Sequence, residues 1–137
     1  MAQQALFEGL VYDENDRPVT VKFIGGQTTY VVNDDGFLRH IDSEVVDRQV
    51  VAIFLEQLQQ NKALAIEQAL RMMKQDDLFT RAALDSSIRK ANVDQIIEQG
   101  IPAQAREMMG LVGFRIVIDL HGEVVRFNQP MITDEDQ

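Results

Sequence analysis

The hydrophobic period of this chain changes twice. Apolar residues recur at every second position up to Ile41, at helical spacing from Ser43 to Gly110, and at every second position again from Phe114. Strands grouped at both ends of a helical block predict an α+β domain. At 137 residues the chain suits one domain, expected over 1–130 with strands in 5–41, helices in 43–110 and a hairpin in 114–128.

Within the first block, Val19, Val21 and Phe23 alternate with Thr20, Lys22 and Ile24 up to Gly25-Gly26. Two glycines adopt positive φ without steric cost and suit a two-residue hairpin turn. That loop length sets Ile24 against Gln27, Phe23 against Thr28, Val21 against Tyr30 and Val19 against Val32, which collects the apolar residues on one face. Asn33-Asp34-Asp35-Gly36 is turn chemistry leading into Phe37–Ile41, and Asp13–Arg17 separates Leu6–Tyr12 from Pro18–Phe23. A four-stranded meander is the expectation, with Gly9 marking an irregularity in its first strand.

At Asp42-Ser43 a helix cap is followed by Val46, Val50, Ile53, Phe54 and Leu58, with Val45, Val51, Ala52 and Leu55 widening the stripe. Such a helix is buried on several sides or forms part of a subunit interface. Shorter helices are expected over 63–75, 77–91, 93–99 and 102–109, punctuated by Asp76-Asp77, the Asn92–Gln95 capping pair, Gly100, Pro102 and Gly110. Alone each is marginal in water, so their stability must come from packing.

Phe114–Asp119 and Val124–Asn128 then form a hairpin about His121-Gly122, pairing Ile118 with Val125 and Ile116 with Phe127. A lone hairpin is barely stable. It is therefore expected to join the opening strands in one antiparallel sheet, the meander plus the C-terminal hairpin, packed on one long helix and several short ones. Residues 131–137 read as an acidic flexible tail.

The net charge is −9, and cysteine is absent, which excludes disulfides, thiolate metal sites and a cysteine nucleophile. This acidity disfavours nucleic acid and anionic membranes as partners. No apolar run approaches the roughly 18 residues of a membrane span, and Met1–Phe7 has no signal-like pattern, so a cytoplasmic location is expected. Residues 63–110 are nearly neutral, with seven acids and six bases, whereas residues 1–62 carry ten acids and five bases. Uneven charge of this kind favours oriented contact with a protein. Glu67-Arg71 and Asp85-Arg89 are spaced as helical ion pairs.

Groups able to do chemistry are scattered. His40 stands near Asp42 and Asp35, and His121 between Asp119 and Glu123. Asp13-Glu14-Asn15-Asp16 begins like a calcium loop, but Pro18 occupies the position where the turn glycine belongs. Ser43, Ser86 and Ser87 lie in no nucleophile turn, and no glycine-lysine phosphate loop is present. Residues 77–99 resemble a DNA-binding helix pair only in outline, because Val93–Gln99 has two acids and no base. Met72-Met73 and Met108-Met109 suit core filling or an adaptable groove.

No catalytic, cofactor-binding or metal-ligating residue is assigned on this pattern, and no cofactor is expected. The favoured reading is a non-enzymatic protein-protein interaction or adaptor module that self-associates as a homodimer, through the long helix or an uncovered sheet face, or binds another protein. Its competitor is a small-ligand binder or enzyme with a site between sheet and short helices near His40.

Overall fold

The computed structural model describes residues 4–128, so the acidic tail expected at 131–137 lies outside the described residues. The elements run β1 (Val11–Tyr12), β2 (Thr20–Ile24), β3 (Gln27–Asp34), β4 (Phe37–Asp42), α1 (Ser43–Gln60), α2 (Lys62–Met73), α3 (Leu78–Lys90), α4 (Val93–Gln99), α5 (Ala103–Leu111), β5 (Arg115–Ile118) and β6 (Val124–Asn128). The fold is α+β, with the strands at both ends of the helical block.

The strands divide into two sheets, β2-β3-β4 and β1-β5-β6. In the first, Ile24 pairs with Gln27, Phe23 with Thr28 and Val21 with Tyr30, the register set by the Gly25-Gly26 turn. Asp35 and Gly36, at φ 53° and 94°, make the second tight turn, joining Asp34 to Phe37. In the other sheet β1 lies parallel to β5, with Val11 opposite Ile116, so the opening segment and the closing hairpin do meet. The single antiparallel sheet expected from the sequence is therefore two: three strands form the meander, and β1, expected as its first strand, pairs in parallel with the C-terminal hairpin instead. The first strand also meets the segment leading into β2, because Val11 accepts a hydrogen bond from the Val19 amide at 2.9 Å.

The sequence predicts Leu6–Tyr12 as a strand with an irregularity at Gly9, yet residues 5–10 turn, with Glu8 donating to the Ala5 carbonyl and Leu10 to that of Phe7. The physical reason is where the backbone donors go. The Leu6 amide donates to the Asp47 carboxylate and the Phe7 amide to the Tyr30 hydroxyl, so neither needs a strand partner. Ala5, Leu6, Phe7 and Leu10 are all buried by this compact path.

The closing hairpin carries a second difference. Ile116 pairs with Phe127 as expected, but Ile118 pairs with Val124 rather than Val125, across a bulge after Val117. Asp119 and Glu123 close a three-residue loop in which Gly122 takes φ 85°. The extra loop residue shifts the register by one and turns Val125 outward.

Helix α1 is the axis of the molecule, packing against β3, β4, β6 and α4. Asp42 caps it by accepting from the Glu44 amide at 3.0 Å. Val46, Val50 and Val51 meet Tyr30, Val32, Ile116 and Ile118 in one core shared by both sheets. On the same helix Gln49 donates to the Gly122 carbonyl at 2.8 Å and accepts from the Val124 amide at 2.9 Å, clamping the closing hairpin. Asp77 caps α3 and Asn92 caps α4 through the Thr80 and Gln95 amides. Gly110 lies inside α5, one residue before its end, rather than beyond it.

Candidate functional site

Asp47 is the most unusual polar residue in the interior, 1% exposed on the core face of α1. Its Oδ1 accepts from the Tyr30 hydroxyl at 2.7 Å and its Oδ2 from the Leu6 amide at 3.0 Å. The Tyr30 oxygen in turn accepts from the Phe7 amide at 3.1 Å. Three chain segments, the N-terminal turn, β3 and α1, thus meet at one carboxyl. Burial pushes that carboxyl up to about 7; the Tyr30 and Leu6 hydrogen bonds pull against it, and the charges of Asp42 and Glu44 add to it. Burial and the neighbouring Asp47 likewise hold the Tyr30 phenol well above its ordinary value. Both carboxylate oxygens are engaged, so Asp47 pins the N-terminal turn to α1.

Asp47 borders a cleft of about 620 Å³ between α1 and α4, shared with Glu44, Arg48, Asp94 and Glu98. Arg48 spans it, holding Glu44 at 2.7 Å and Asp94 at 2.8 Å. Across the α1 N-terminus the Ser43 and Thr28 hydroxyls lie 2.6 Å apart. This arrangement is an ion-paired seam between two helices.

The surface changes character at the α2-α3 hairpin. Of its two helices only Ile66 and Leu70 are buried, both on α2. At the open end Met72 is 84% exposed, Leu78 82% and Phe79 89%, with Met73 half-exposed beside them. Lys74, in the left-handed conformation at φ 58°, stops α2 and sets up the turn that presents this tip. The helices are held together by polar bonds: Lys62 to Asp85 at 2.8 Å and Arg81 to both Glu67 and Asp76 at 2.9 Å. A groove of about 410 Å³ remains between them, floored by Ile66 and Ala82. Large apolar side chains are thus left in contact with solvent at this end of the hairpin.

The residues singled out from sequence fall apart in space. His40 is exposed on β4 opposite Val31, and His121 is exposed in the β5-β6 loop. Neither borders the Asp47 cleft. Asp13 uses one oxygen to accept from the Asn15 and Arg17 amides at 2.8 and 3.0 Å, so the calcium-like stretch is a self-capped turn. Among the described residues no group of three His, Cys, Asp or Glu is placed to hold a metal ion, and no helix is long and apolar enough to cross a membrane. Met109 packs against the core, whereas Met72, Met73 and Met108 face outward. Asp85-Arg89 forms at 2.6 Å, but Glu67 bonds across the hairpin to Arg81.

Asp47 itself escaped the sequence reading. The signal was present: Asp47 follows Ser43 by four positions and precedes Val50 and Val51 by three and four, the spacing of the buried face. An acid within an apolar stripe implies a buried partner, here Tyr30. Compared with family models, curated proteins and solved structures, the chain matches none.

Proposed function

We propose that the protein is a non-enzymatic interaction module that associates with a second copy of itself through the α2-α3 hairpin. The observation that carries this reading is the exposure of Met72, Leu78 and Phe79 on two helices that bury only two side chains between them. Helices of 12 and 13 residues are marginal alone and draw their stability from an apolar face in contact. In a second copy the same face is available. The patch also carries both charge signs, Arg71 and Lys74 near Asp76 and Asp77, which is compatible with a two-fold contact between copies. The competing reading, chemistry near His40, has less support because that side chain faces solvent away from the cleft.

Size-exclusion chromatography with light scattering tests the proposal on the full chain. The unaltered protein is expected to run as a dimer, and the double variant Leu78→Asp, Phe79→Asp as a monomer with an unchanged circular dichroism spectrum. Both side chains are surface residues, so the change leaves the core intact. A monomeric unaltered protein, or a dimer that survives the double substitution, overturns it.

A further inference from the structure

We propose that an apolar space of about 230 Å³ between α1, α4 and α5 is a binding site for one small neutral hydrocarbon or aryl group. Val50 and Phe54 of α1, Ile96 of α4, Met109 of α5, and Phe7 and Phe114 are among its walls, and no lining side chain carries a charge or a hydrogen-bonding group. Water placed there finds no hydrogen-bonding partner on the walls, so the space favours an apolar occupant.

The walls are fastened on opposite sides. Phe114 is stacked on Phe7 at 6.1 Å and meets Phe127 edge-on at 5.1 Å, so its ring is fixed from two directions. On the helical side the Gln4 amide both donates to the Ile101 carbonyl and accepts from its N–H, each at 2.9 Å, holding the link between α4 and α5. Arg48 ties α4 to α1 through Asp94. Phe54 is 38% exposed and forms the solvent-facing rim.

Size and charge narrow the ligand. By proportion with a ~150 Å³ apolar cavity that accepts benzene, the volume takes roughly nine carbon atoms. An anionic head is disfavoured, because no cation lines the space and the chain carries a net charge of −9. The inference is independent of self-association through the α2-α3 hairpin.

n-Propylbenzene is a suitable probe, titrated into the full-length protein with methyl groups observed by NMR. The Met109 and Ile96 methyls are expected to shift saturably at one probe per chain while the Met72 methyl stays in place. Ile96→Phe, which fills the space, is expected to weaken binding at least tenfold. Octanoate is expected to bind at least tenfold more weakly than propylbenzene. Shifts confined to Met72, no saturable shift at Met109 and Ile96, or tighter binding of octanoate overturns the proposal. Because the methyl readout uses the unaltered protein, the test holds even if Ile96→Phe does not fold.

Discussion

The Tyr30 hydroxyl donates to Asp47 Oδ1 at 2.7 Å and accepts from the Phe7 amide at 3.1 Å, so one phenol oxygen links a helix carboxylate to the backbone of the N-terminal turn. Removing that oxygen by Tyr30→Phe leaves both partners buried without it. A cost of about 2–3 kcal/mol is expected, since each orphaned buried group forfeits its compensation for lost water. Urea denaturation checks this: the midpoint falls with an unchanged slope. A midpoint within error of the unaltered protein sinks the assignment of Tyr30 as a structural link.

Asp47 also gives stability a definite dependence on pH. Its carboxyl titrates at about 7 in the folded protein against an ordinary 3.8. Between those values the folded chain holds a proton that the unfolded chain has released, so folding takes one up. Stability from this group is therefore greatest below about pH 4 and falls as pH rises to about 7, by on the order of 4 kcal/mol. Asp47→Asn removes the titrating group. The stability of the unaltered protein minus that of the variant should fall steadily from acid to neutral pH in parallel urea titrations, and a constant difference contradicts the assignment.

At Gly122 the closing hairpin lies close against Ile41 of the meander. The glycine has a φ of +85°, and a Cβ there would lie 2.7 Å from Ile41 Cγ2. Gly122→Ala combines left-handed strain with a steric clash, for an expected loss of about 1–3 kcal/mol. Gln49 accepts from the Val124 amide beside this loop, so exchange of that amide is expected to accelerate in the variant. Unchanged exchange and an unchanged thermal midpoint would show that the contact relaxes freely.

The cap of α3 offers a local test of how the exposed hairpin is held. The Thr80 hydroxyl, and then its amide, donate to Asp77 and hold its carboxyl below the ordinary 3.8. A depressed carboxylate value means that the benefit exists above the unfolded value and disappears as pH drops through the folded one. Asp77→Ala should speed exchange of the Thr80 amide at neutral pH, and the gap from the unaltered protein should narrow below about pH 3.8. An equal gap at pH 3 and pH 7 refutes the charged cap.

Local features were legible wherever neighbours in sequence carry the information. The Gly25-Gly26 turn sets the β2-β3 register, because two positive-φ residues leave a single way to align the flanking strands. Asp42, Asp77 and Asn92 cap helices through amides two or three residues away. The β5-β6 register was only half legible: Gly122 signals a turn, but two-residue and three-residue loops share its chemistry and differ by one pairing step.

The candidate site was harder to read because its two halves have opposite visibility. Met72, Leu78 and Phe79 are apolar residues on helices, and periodicity alone assigns such residues to a core. Their exposure follows from where α2 ends at Lys74 and how the hairpin then projects, which depends on a left-handed non-glycine residue. The role of Asp47 shows only through Tyr30, 17 positions away in sequence and hydrogen-bonded to it in space.

By itself the amino-acid sequence determined the order and kind of the elements, the tight turns and the helix caps, because these depend on backbone preferences and side chains a few residues apart. Tertiary structure alone decided that the strands form two sheets, that β1 runs parallel to β5, and that a buried carboxyl holds the N-terminal turn in place. Those outcomes depend on which backbone donors are satisfied by distant side chains. The Leu6 and Phe7 amides could join a strand ladder or meet Asp47 and Tyr30, and packing around α1 selects the second arrangement.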